Sequence, residues 1–97
     1  MSNAILSNST LHDLTYLQNV TASILINRYK LTLEQVLALK TYQIIPQKQL
    51  LLLDKNHILQ LDYKTAMLFK LLLDANARLL FKKRIVISDL YIDEECL

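Results

Sequence analysis

The chain has no glycine and no tryptophan, and only one proline and one cysteine in 97 residues. Each absence excludes something. The Walker A loop and the dinucleotide fingerprint both use glycine to bring backbone amides against phosphate, so neither can be present. The nucleophile elbow of serine hydrolases fails for the same reason, which leaves Ser7, Ser9, Ser23 and Ser88 without that context. Without glycine, positive φ has no low-cost residue, and tight turns fall to Asn and Asp. Asp54-Lys55-Asn56 and Asp74-Ala75-Asn76 are the candidates. The single cysteine, Cys96, cannot form an internal disulfide and suits a reducing compartment. No uninterrupted apolar run exceeds four residues, as at Leu50-Leu51-Leu52-Leu53, against the ~18 of a membrane span. The opening residues do not pair a basic segment with an apolar one, so no secretory signal is expected.

What is abundant is apolar surface. The hydrophobic share is 53%, with leucine supplying nearly a quarter of the residues. A chain of this length makes one domain at most, with a modest core for its surface. The excess points to a dimer that buries it. Net charge is +2, too small to call for a nucleic-acid partner. The charges are uneven: Lys82-Lys83-Arg84 is a basic triplet and Asp93-Glu94-Glu95 an acidic tail, both ordinary for a solvated edge or terminus.

Residues 1–17 read as a polar, flexible leader, in which Ser2-Asn3-Ala4 matches a common cloning remnant, and residues 11–17 as a short helix or an approach to the first strand. Residues 18–93 form the domain, and 94–97 the acidic tail. Val20, Ala22, Ile24 and Ile26 alternate with Thr21, Ser23 and Asn27, which predicts a strand over residues 20–31. The period then changes. Leu33, Val36 and Leu37 sit at helical spacing, and Thr32 with Gln35 fits a capping box, so residues 33–40 are predicted as a helix. Thr41-Tyr42 is a turn, and residues 43–45 are a short extended piece that Pro46 ends. Residues 49–53 and 57–62 read as a hairpin around Asp54-Lys55-Asn56. Residues 63–81 admit two readings. By propensity they are a helix. Alternatively, residues 67–73 and 78–88 are strands, with Arg84, Val86 and Ser88 facing one way and Ile85 and Ile87 the other. Residues 90–92 could close with a last short strand.

The stretch from Val20 to Pro46 resembles the SpoA (surface presentation of antigens) domain, the C-terminal module of the flagellar switch proteins FliM and FliN and of the YscQ/HrcQ/SpaO proteins of type III secretion. Val20-Thr21-Ala22-Ser23-Ile24-Leu25-Ile26 resembles the family's amphipathic strand. Leu31-Thr32-Leu33-Glu34-Gln35-Val36-Leu37-Ala38-Leu39-Lys40 resembles its helix, and Ile44-Ile45-Pro46 the step after it. Residues 71–87 resemble its closing hairpin more loosely, and the segment between is longer than the family's. The family's turns carry glycine, where this chain has Thr41-Tyr42 and Asn76-Ala77. The resemblance implies a mainly β fold with one short α-helix, built as a small intertwined, strand-swapped β-barrel dimer. Its partners would be a second SpoA domain (as homodimer or heterodimer), the full-length C-ring subunit and the stator of the export ATPase. The setting would be the cytoplasmic sorting platform of a bacterial secretion system, and the chain would be the short form made from an internal start. Val20, Ile24, Ile26, Val36, Leu37, Ile85 and Ile87 would carry the dimer and core interface.

No catalytic, metal or cofactor site is expected. His12 and His57 lack ligand partners at metal spacing. Asp54 and Asp62 flank the hairpin, as turn and edge residues do, rather than as an acid/base pair. The five tyrosines with Phe69 and Phe81 suit a core or interface. Two other readings compete with the SpoA module. In a winged-helix DNA-binding regulator, residues 63–81 form a long helix, Lys82-Lys83-Arg84 touch phosphate and residues 85–88 begin a wing. The chain could also be a small adaptor or phage-type inhibitor.

Overall fold

The computed structural model describes residues 3–92, with side-chain surroundings from residue 14 onward. Three helices and one small sheet make up the fold: α1 (Asn3–Asn27), α2 (Leu33–Leu37), β1 (Ile44–Ile45), β2 (Leu50–Asp54), β3 (His57–Gln60) and α3 (Tyr63–Lys83). Single 3-10 turns at Thr41–Gln43 and Pro46–Lys48 flank β1. The strands form one open antiparallel sheet in the order β1-β2-β3. About 58% of the chain is helical, which overturns the expected mainly β, strand-swapped barrel.

The largest correction is α1. Residues 20–27 alternate like a strand but lie within a helix. From residue 14 onward its buried residues are Leu14, Leu17, Thr21 and Leu25, spaced three, four and four apart, which is one face of a helix. Thr21, on the polar face in the strand reading, is fully buried. Its hydroxyl donates to Leu17 O at 2.7 Å, and Tyr91 Oη lies 2.9 Å away. That back-bond makes a buried threonine tolerable in a helix. The β-branched Val20, Ile24 and Ile26 lower helix propensity, but packing along α3 outweighs a few tenths of a kcal/mol per residue. The boundary placed at residue 18 therefore lies inside a helix whose core contacts include Leu14 and Leu17.

Two local expectations hold. The Thr32 hydroxyl accepts from Gln35 N–H at 3.1 Å, and the Gln35 side chain accepts from Thr32 N–H at 2.9 Å, so the capping box is complete. Its helix is shorter than expected and stops at Leu37. The hairpin pairs Leu51 with Leu59 and Leu52 with Ile58, with an irregularity before the turn. There the Asp54 carboxylate accepts from the N–H groups of Asn56 (2.7 Å) and His57 (2.9 Å).

The ambiguous stretch from residue 63 is a single helix, so Asp74-Ala75-Asn76 is no turn and the hairpin reading of 67–88 is wrong. The helix ends in a Schellman pattern: Ile85 N–H donates to Leu80 O (3.0 Å) and Arg84 N–H to Phe81 O (3.1 Å). Arg84 takes the left-handed conformation that glycine usually supplies, and so do Lys30 and Gln49. Positive φ thus falls where helical turns end, on none of the Asn or Asp candidates. Residues 85–88 belong to no helix or strand. Their alternation survives in burial, with Ile85 and Ile87 half-buried and Arg84, Val86 and Ser88 exposed.

Beyond them, residues 88–92 strap back over the core, in place of the last strand. Leu90 is fully buried, its N–H donates to Leu39 O (3.0 Å), and Asn76 Nδ2 donates to its carbonyl (2.6 Å). Asp89 pairs with Lys40, and this contact holds the Lys40 ammonium above its ordinary pKa. Burial pushes the Tyr91 phenol up to about 12, partly opposed by its hydrogen bond to Thr21. The phenol is neutral in folded and unfolded chains below pH 10. Between pH 10 and about 12 the unfolded chain ionises first, so stability falls as pH rises through that window. Relative to Tyr91→Phe, the wild type should lose up to roughly 2–3 kcal/mol there, read by urea unfolding on either side of the window.

Candidate interaction surface

Helix α3 has two faces. Thr65, Ala66, Phe69, Leu72, Ala75, Asn76, Leu79 and Leu80 are buried. This face packs on α1, and Phe69 and Leu72, both fully buried, share one core cluster with Ile44 and Leu51 of the sheet. The opposite face bears Tyr63, Met67, Lys70, Leu71, Asp74, Arg78 and Phe81, all exposed. Four of these are large apolar residues: Tyr63 is 67% exposed, Leu71 48%, Met67 41% and Phe81 86%. Their spacing follows the helical repeat, so they form one stripe along α3. Scattered exposed apolar residues are ordinary, whereas an aligned set on one helix face is a candidate contact surface.

A cavity of about 200 Å³ opens beside the N-terminal half of the stripe, lined by Pro46, Gln47, Gln49, Tyr63, Met67 and Lys70 among others. It exists because Pro46 starts a 3-10 turn and Gln49 turns left-handed, which swings the chain past α3 into β2. At the other end, Leu80, Phe81, Lys82, Arg84, Ile85 and Val86 surround a shallow hollow, with Val86 fully exposed.

The N-terminal end of α3 is fixed by Asp62. Its carboxylate accepts from Tyr29 Oη at 2.9 Å and from the Thr65 hydroxyl, and lies 3.2 Å from Arg28 Nη1. In return Tyr29 Oη accepts from Asp62 N–H at 3.0 Å. The Thr65 and Tyr29 hydrogen bonds, with the Arg28 charge, hold the Asp62 carboxyl below the usual carboxylate range. The α1 terminus is thereby clamped to the start of α3, which sets the orientation of the exposed stripe.

Of the residues expected to form the interface, Val36 is a buried core residue. Val20, Ile24 and Ile26 lie on α1, half-buried, and Ile26 packs against the core. Leu37 is exposed beside Leu33 on α2. Ile85 and Ile87 lie in the irregular segment after α3. The structure does not gather these seven into one surface. The α3 stripe is legible in the sequence only under the helical reading of residues 63–81, in which Tyr63, Met67, Leu71 and Phe81 fall at helical spacing.

Asp54 and Asp62 serve separate local structures. Hydrogen bonds from Asn56 N–H and from the His57 side chain hold Asp54 below its ordinary value. Among the described residues, no three His, Cys, Asp or Glu side chains come together as metal ligands would. Nor is any helix among them long and apolar enough to cross a membrane. His12 lies in α1, where its side chain is outside the described surroundings, and Cys96 and the acidic tail lie outside the described residues. Comparisons with protein-family models, curated proteins and solved structures return no match.

Proposed function

We propose that the chain is a non-catalytic interaction module that works by docking another protein chain on the outward face of α3. The observation that carries this is the aligned, exposed set Tyr63, Met67, Leu71 and Phe81 on a helix whose other face is fully committed to the core. The setting proposed for it is the cytoplasmic sorting platform of a bacterial type III secretion system, with the full-length C-ring subunit and the ATPase stator as partners. That narrower proposal rests on the resemblance over Leu31 to Pro46, where the capped helix and the Ile44-Ile45-Pro46 step persist. The strand half of the resemblance, residues 20–26, gives it no support because it is helical.

The test is co-purification of both partners with the wild type and with a Met67→Asp, Leu71→Asp double variant. Both side chains are exposed, so the fold should survive. Association that the double variant loses is the expected result. Association that the double variant keeps would place the contact elsewhere.

A second reading, duplex DNA binding, has one specific observation in its favour. The long helix it requires exists, with Lys82, Lys83 and Arg84 exposed at its end. Against it, among the described residues no strand follows to make a wing, and the triplet sits at a helix C-terminus, where the backbone carbonyls already attract cations. An α3 face with Met67, Leu71, Asp74 and Phe81 also suits protein better than phosphate. Salt-sensitive retention on duplex DNA that is lost when Lys82, Lys83 and Arg84 become serine would establish this second reading.

A further inference from the structure

We infer that the occupant of the α3 stripe is a second copy of this chain, with two α3 helices packed antiparallel about a two-fold axis level with Leu72. This rests on the interaction-module reading and names its partner. The inference comes from the order of residues along the stripe. Lys70 and Asp74 lie two residues before and two after Leu72, and both face outward. An antiparallel copy therefore sets Lys70 level with the second copy's Asp74, and by symmetry the reverse, giving two ion pairs. Tyr63 and Phe81 lie equally far on either side of Leu72, about five helical turns apart and so on the same line of the helix. Each Phe81 then falls level with the other copy's Tyr63, beside the cavity of about 200 Å³ that Tyr63, Met67 and Pro46 line. That volume suits a phenyl ring, and Phe81 has little contact with its own chain, being 86% exposed.

The Lys70–Asp74 and Phe81–Tyr63 matches, both from one axis, are what an isologous interface requires. A parallel arrangement would set Lys70 against Lys70 and Asp74 against Asp74, which like-charge repulsion disfavours.

The experiment is sedimentation of the full chain across the micromolar range, for the wild type, Lys70→Asp, Asp74→Lys and an equimolar mixture of the two variants. Circular dichroism confirms that each variant stays folded. The wild type should dimerise reversibly. Each single variant places like charges opposite one another at both pairs and should dissociate roughly tenfold more readily, or worse. The mixture should regain dimerisation, because two acidic side chains at positions 70 and 74 then face two basic ones. Phe81→Ser should also weaken the dimer without loss of fold. A wild type that stays monomeric throughout would overturn the inference. So would a dimer indifferent to both charge variants, or variants that fail to complement on mixing. Any of these leaves the interaction-module reading to be judged separately by the co-purification of the Met67→Asp, Leu71→Asp variant.

Discussion

Phe69→Ala should destabilise the chain by about 3–5 kcal/mol, while Leu71→Ala, two residues along, should cost well under half of that. Phe69 has no exposure and sits mid-helix on the face of α3 that meets α1 and the sheet. Truncation to alanine removes a ring from a packed core and leaves a cavity. A domain of this size has roughly 5–15 kcal/mol of stability in total, so the loss takes a large part of it. Leu71 lies on the outward face, so its truncation leaves the core packing in place. The contrast separates the two readings of this stretch. In a strand, Met67, Phe69 and Leu71 would share one face, and truncations at 69 and 71 would have similar effects. Urea unfolding of the two variants, compared at one temperature, makes the measurement.

The second large effect belongs to α1. Leu25→Asp should abolish stable folding, whereas Ile24→Asp should leave a folded chain. Leu25 is fully buried in the main core, where a carboxylate would have no partner and would cost several kcal/mol or stay protonated. Ile24 is half-buried, and a charge there can reach solvent. The strand reading orders the two the other way, with Ile24 inward and Leu25 outward. Thermal unfolding followed by circular dichroism decides between them. A less stable Ile24→Asp than Leu25→Asp would contradict the helix.

How much of this was legible in the sequence depended on whether a local signal stood alone or competed with packing. The hairpin and the capped helix α2 were readable because their determinants are adjacent residues: Asp54 with Asn56, and Thr32 with Gln35. Helix α1 was not, because residues 20–26 alternate by chance while its true repeat runs through a threonine. Thr21 counts as polar in any pattern, and only the structure places its hydroxyl against Leu17 and Tyr91. Helix α3 was half legible, since Ala, Leu, Lys and Met favour a helix but the Ile85-Val86-Ile87 block suggested strands. That block belongs to no strand. The positive-φ positions were missed for a related reason. Lys30, Gln49 and Arg84 are set by where helical turns end, and tertiary packing decides that. The α3 stripe depends on knowing which face of the helix the core takes, a fact held jointly by α1 and α3.

The most direct test is a far-UV circular dichroism spectrum of the purified chain. With α1 and α3 formed, the spectrum should be that of a protein more than half helical, with the double minimum of α-helix. A strand-dominated spectrum would mean that residues 20–27 and 63–83 are not helices. The α3 stripe, and everything argued to dock on it, would then be wrong.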